Sequence, residues 1–142
     1  MTTKIDVSEL KDLGKVLRKA APAVARDFNK GLLAYGELVA TTAKGNAGFS
    51  SRIPGTIKAR RRAQSVTVMA GGSSAPHAAA YENKGRQGTF RHPVFRTATN
   101  PDTWVNQQAH PFLGPAAEAD LEKGLLIIVT EVDRAITQAG LH

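Results

Sequence analysis

The spacing of apolar residues changes period along the chain and divides it into segments. Near the start, Leu10, Leu13 and Leu17 recur at helical spacing. Asp6 and Glu9 stand three residues apart ahead of them, a capping-box-like pair that predicts a short first helix. An Ala-Ala-Pro step then interrupts the pattern, and Pro22 suits the first turn of a new helix, where a missing N–H costs nothing. In that second segment Val24, Phe28, Leu32, Tyr35 and Val39 step by 4, 4, 3 and 4 residues, tracing one helical face. A helix is predicted from about Pro22 to Lys44, stopped by Gly45, Asn46 and Gly48. Gly31 and Gly36 weaken it in isolation, by roughly 1 kcal/mol each relative to Ala, and point to close packing against another element.

The middle of the chain reads with a period of two. Ile57, Ala59, Arg61 and Ala63 alternate, and Val66, Val68 and Ala70 continue the alternation, which predicts two strands or one long bent one. GGSSAP breaks that pattern, HAAAYE reads as one helical turn, and NKGRQG as a glycine-containing loop. RHPVFR and TWVNQQ are short strand candidates separated by a turn at Asn100-Pro101-Asp102, with Pro93 confining the first to an edge or a bulge. A last helix is predicted to open at Pro115, with Glu118 and Asp120 in its early turns and Gly140 as its stop. Leu121, Leu125, Ile128, Val129, Val132 and Ile136 form its apolar face. The order predicts an α+β fold in which long helices pack on a small, mostly antiparallel sheet, ending in a C-terminal helix. The 142 residues are read as one domain, with residues 1–21 a short helix and linker ahead of a core spanning 22–142.

Composition changes this picture chiefly through charge. Lys and Arg number 19 and Asp and Glu 12, and the excess is local: nine basic residues between Arg52 and Arg96 face one acid, Glu82. Such asymmetry points to an acidic partner, either nucleic acid or an acidic protein face. There is no Cys, which excludes disulfides and thiolate metal sites. No start resembling a signal peptide and no membrane-length apolar run is found, so a soluble protein made in the cytosol is expected.

Candidate chemistry is sparse. His77, His92, His110 and His142 lack the i, i+4 pairing of a helical zinc site. His77 and Glu82 are placed to meet across a turn, although a loop hydrogen bond is the commoner use of such a histidine. No nucleophile elbow is present, GGSSAP lacks the lysine of a phosphate loop, and paired carboxylates are missing from the centre. No enzymatic activity, cofactor or metal is therefore expected. In KARRR, a strand would aim Lys58, Arg60 and Arg62 one way and Arg61 the other. Such a stripe serves equally well to track phosphates, to face an acidic protein, or to guard an exposed edge. No aromatic residues interleave with the arginines, against a single-strand stacking platform, and no groove-reading motif is present.

Four stretches in order, APHAAAYENKG (75–85), RHPVF (91–95), WVNQ (104–107) and HPFLGPAAE (110–118), follow a long N-terminal helix. This arrangement resembles the tail-component family of long-tailed bacteriophages, the small tail-completion or head–tail connector proteins. The resemblance covers the chain from about Pro22 onward. SSRIPGTIKARRRAQSV is longer and more basic than the family's usual stretch, and Arg96 stands where the family commonly has Gly. The resemblance implies a structural, non-enzymatic virion protein of the neck, assembled in the host cytoplasm. Its implied form is a homo-oligomeric ring, expected to be a hexamer, between the connector and the tail tube. The implied partners are further copies of itself, other neck proteins, a tail-tube or terminator protein, and DNA passing through the channel, with no membrane. A tail terminator ring and a small basic non-specific DNA-binding module are the alternatives. On this reading Lys58, Arg60, Arg61, Arg62, Lys84, Arg86 and Arg91 form a basic stripe between subunits or along the channel, with the subunit interface preferred. The NKGRQG loop is either a connector or a segment that lies along a neighbour. Phe95, Trp104, Phe112 and Leu113 are structural anchors, and both His-Pro steps are architecture: proline ends or bends a strand, and Phe112 with Leu113 sets the angle of the last helix.

Overall fold

Helix α1 (Pro22–Asn46) is the longest element, and the rest of the chain is arranged on two of its sides. The structure is a computed structural model that describes residues 2–4, 12, 18, 21–63, 65–93 and 104–138. Pro22 occupies the first turn of α1, and Ala47 closes its end by donating its N–H to the Ala43 carbonyl. The apolar spine read from the sequence is the buried face: Val24, Phe28, Leu32, Tyr35 and Val39 are all at most 1% exposed.

One side of α1 packs on a three-stranded antiparallel sheet of order β1-β3-β2, comprising β1 (Thr2–Lys4), β2 (Lys58–Arg62) and β3 (Ser65–Met69). The alternation in β3 sends Val66 and Val68 into the core and leaves Ser65, Thr67 and Met69 half-buried on the other face. The hairpin register pairs Arg60 with Thr67 and Ala59 with Val68, which fixes which face each arginine shares. Thr56 ties the base of this hairpin: its hydroxyl donates to the Ile53 carbonyl at 2.7 Å and accepts the Gly71 N–H at 2.9 Å.

The α+β class holds, with three departures in arrangement. The strands form two sheets, the second a ribbon of β4 (Thr89–Pro93) and β5 (Trp104–Gln108). Next, β1 stands at the extreme N-terminus, where only a helix was expected. Three isolated residues carry too little periodicity to announce a strand, and pairing with β3 decides it. Of the predicted first helix, Asp12 and Arg18 are helical and the rest lies outside the described residues. Finally, the last helix is two helices: α3 (Leu113–Ala119) and α4 (Leu121–Gln138), joined through Asp120; the short α2 (Ala78–Glu82) precedes the ribbon. Pro115 thus lies inside the first turn of α3 rather than opening α4, and the expected stop at Gly140 lies outside the described residues.

Helix α4 packs against α1, not on the sheet, so α1 is a middle layer. Its glycines make this possible. A Cβ on Gly36 would lie 2.2 Å from Val66 Cγ2 on the sheet side, and one on Gly31 would lie 3.0 Å from the Ile128 Cα on the α4 side. Gly124 of α4 answers in kind, since a Cβ there would sit 2.0 Å from the Tyr35 ring. This rotates α4 away from its sequence-predicted face. Gly124, Ile128 and Ala135 are buried, while Val129 is 59% exposed and Leu121 43%.

Tyr35 is fully buried with no hydrogen-bond partner for its hydroxyl, and one oxygen of buried Asp120 is likewise unpartnered. Burial, reinforced by the negative charge of Asp120, pushes the phenol above its usual 10.0. The unfolded chain therefore gives up this proton first, so stability should be intact below pH 10 and fall as pH rises above it. Tyr35→Phe should flatten that alkaline slope and leave stability at neutral pH unchanged or higher by up to about 1 kcal/mol, read from urea melts across pH.

Gly36→Ala should destabilise by about 1–3 kcal/mol because the methyl meets stiff, buried Val66. Gly45→Ala, in the same helix with nothing within 4 Å of the new carbon, should be neutral or stabilising by up to about 1 kcal/mol. Denaturant melts of the two variants check both the sign and the contrast.

Candidate functional site

The stretch from Ala78 to Leu113 holds the motifs singled out in the sequence, and one carboxylate organises it. Helix α3 opens with Phe112 at its N-cap, a residue that offers no side-chain acceptor to the first free N–H groups. Glu82, at the end of α2, supplies it from a distance. Its Oε2 accepts the N–H of Phe112 at 2.7 Å and of Leu113 at 2.9 Å, and its Oε1 accepts the N–H of Gly114 at 2.8 Å. Glu82 is only 3% exposed, so the desolvation cost of the carboxylate is offset by three charge-assisted bonds.

The chain must turn sharply to place that carboxylate. Asn83 and Lys84 adopt left-handed conformations at φ 48 and 57, followed by Gly85 at φ 76. For Lys84 this costs about 1–2 kcal/mol. Asn83 tightens the turn by donating its Nδ2 to the Arg86 carbonyl. Gly85 and Gly114 then stack backbone on backbone: a Cβ on Gly114 would lie 3.1 Å from the Gly85 Cα and 3.3 Å from Glu82 Oε1. Two further bonds join the strands of this region, His110 N–H to the Tyr81 carbonyl at 2.9 Å and Ala109 N–H to the Gly88 carbonyl at 2.7 Å. From the C-terminal end of α1, Asn46 donates to the Phe112 carbonyl.

Aromatic rings cover this backbone knot on its outer side. Tyr81 stands between Phe49, with ring centroids 5.0 Å apart, and Phe90, at 5.1 Å, while His110 lies 4.8 Å from Phe49. His77 meets Tyr81 edge-on. Two shallow clefts flank Tyr81. One, of about 330 Å³, is lined by Phe49, Arg52 and His77, and the other, of about 370 Å³, by Phe90, Arg91 and His92. The meeting of His77 with Glu82 suggested by the sequence does not occur, because Glu82 turns inward to α3 and His77 stays with Tyr81. Among the described residues no three metal-ligating side chains come together.

The predicted basic stripe is split. Lys58, Arg60, Arg61 and Arg62 lie together on β2, an edge strand of the first sheet, and all four are exposed. No carboxylate among the described residues forms an ion pair with any of them. Lys84 and Arg86 are exposed on the left-handed turn and its exit, and Arg91 is exposed on β4, away from that edge. Among the predicted anchors, Phe112 and Leu113 are fully buried beside Ile53, Ile57 and Ala116 in the core cluster. Trp104 is only half-buried on the ribbon, and Phe95 lies outside the described residues.

Among the described residues, the β4–β5 ribbon contributes none to the buried core cluster. Its register pairs His92 with Val105 and Phe90 with Gln107, placing these four on one face. None of its described side chains is buried, and Val105 is 41% exposed. An isolated two-stranded ribbon is marginally stable in water, and this one rests its Phe90 ring edge-on against Tyr81.

Sequence reading missed the role of Glu82. Its signal was present in another form: a helix opening on HPFLGP contains no residue able to cap it. No protein-family model, curated protein or solved structure matches this chain.

Glu82→Gln should destabilise the protein by about 2 kcal/mol, because the amide turns a donor toward N–H groups that need an acceptor. Exposed His110, by contrast, should tolerate conversion to Gln within about 0.5 kcal/mol. Thermal and urea unfolding of both variants provides the comparison, and a larger loss in His110→Gln than in Glu82→Gln would reverse the assignment.

Proposed function

We propose that this chain is a structural subunit of a phage neck, a tail-completion or head–tail joining protein that works as a homo-oligomeric ring between connector and tail tube. The observation that carries the reading is the β4–β5 ribbon, an ordered pair of strands with no buried described side chain. A monomeric domain has little reason to keep such an arm, whereas a subunit completed by its neighbour does. The order of the APHAAAYENKG, RHPVF, WVNQ and HPFLGPAAE stretches supports the same reading by resemblance.

The charge distribution fits a ring with different faces in contact. A closed cyclic assembly joins two distinct patches of each subunit, so a basic segment on one side calls for an acidic one on the other. Here the β2 edge and the stretch from Lys84 to Arg91 are basic, while the exposed carboxylates Glu118, Glu122 and Asp133 belong to the α3–α4 region. We place the basic segment between subunits in preference to the channel wall, because dense phosphate contacts would hold back DNA that has to pass. A tail terminator ring shares this logic in a different tier. No helix among the described residues is long and apolar enough to cross a membrane.

Native mass spectrometry and light scattering at low and high salt, with and without duplex DNA, test the reading. The expected result is a closed oligomer, a hexamer by this proposal, whose mass ignores DNA and falls as salt rises. A monomer that binds DNA of any sequence and releases it with salt would transfer the assignment to a nucleic-acid-binding module.

A further inference from the structure

Two surfaces among the described residues are exposed, and their chemistries are complementary. The first is the outward side of α4. Leu126 is 65% exposed and Val129 59%, and half-buried Leu125, Val132 and Ile136 continue the same strip along the helix. Exposed Glu122 and Asp133 rim it, and neither takes part in an ion pair among the described residues; the Arg134 guanidinium is engaged by Glu131. The second surface is the β4–β5 ribbon, with exposed Val105 beside His92. The segment that contains it, residues 83–108, carries Lys84, Arg86, Arg91 and Arg96 against the single carboxylate Asp102.

We propose that these surfaces form one interface: the ribbon of one copy lies across the α4 strip of the next, with Val105 against Leu126 and Val129. This deepens the ring reading above and rests on it. The occupant is a second copy because charge and apolar character both match. Helices α3 and α4 together carry four carboxylates against two cations, the reverse of the ribbon segment. Dimensions agree as well. A five-residue strand spans about 17 Å and the strip from Leu121 to Ile136 about 22 Å. Among the described residues the ribbon makes no extensive contact with α4, and Leu126 and Val129 stay exposed. The patches are different parts of one chain, and each copy presents both, so the contact is head-to-tail, the class of contact from which a closed ring is built.

The chain contains no Cys, so engineered thiols report only on themselves. Single-cysteine chains Val105→Cys and Val129→Cys, mixed and treated with a short bis-maleimide, should give a cross-linked heterodimer, with far less product from either chain alone. Leu126→Glu should weaken self-association by about tenfold or more while the far-ultraviolet circular dichroism spectrum stays unchanged. Thr130→Glu, exposed on the same helix outside the strip, should assemble like the unsubstituted chain. Oligomers of unchanged mass in Leu126→Glu, with no cross-link in the mixture, would overturn the contact and leave the ring standing. An unsubstituted chain that remains monomeric under every condition, without cross-link, would overturn both.

Discussion

Everything in this fold depends on a single helix being approached closely on two sides. α1 is the middle layer between the three-stranded sheet and α4, and both approaches are set by glycines: Gly36 against Val66, Gly31 against Ile128, and Gly124 against the Tyr35 ring. A helix buried on two sides normally needs apolar residues around most of its circumference. Here small residues substitute for part of that surface, allowing the neighbours' backbones to come near. The consequence extends outward. Because α4 seats its small residues on α1, its larger ones, Leu126 and Val129, are turned to the outside. The inner packing thus creates the outer strip.

A second constraint links that core to the ribbon. Glu82 caps α3 across about thirty residues of chain, and to do so the backbone between α2 and β4 must pass through three successive left-handed residues. That turn directs the chain into the ribbon, and the bonds from Ala109 and His110 bring it back to α3. The base of the ribbon is therefore tied by these hydrogen bonds, while none of its described side chains is buried.

Charge follows the same division. The buried core holds few ionisable groups, Glu82 and Asp120 being its buried carboxylates. Cations collect on the β2 edge and between Lys84 and Arg91, carboxylates on α3 and α4. An edge strand bearing four exposed cations also resists unplanned sheet extension, so one set of residues can favour a chosen partner while excluding strand-to-strand aggregation.

Much of this was legible in the chain itself. The 4-4-3-4 spacing from Val24 to Val39 located α1 and its buried face, because helical periodicity is a local property. The alternation through Val66 and Val68 located β3 for the same reason, whereas a separate α3 capped from outside was not read from the chain. Tertiary structure alone decided which acceptor, since Glu82 lies about thirty residues away and only folding brings it near. It also decided the pairing of β1 with β3, the division of strands into two sheets, the break at Asp120, and which face of α4 turns inward. Each of these depends on contacts between segments remote in sequence, where the shapes of Gly31, Gly124 and Tyr35 outweigh the hydrophobicity that a linear reading ranks first.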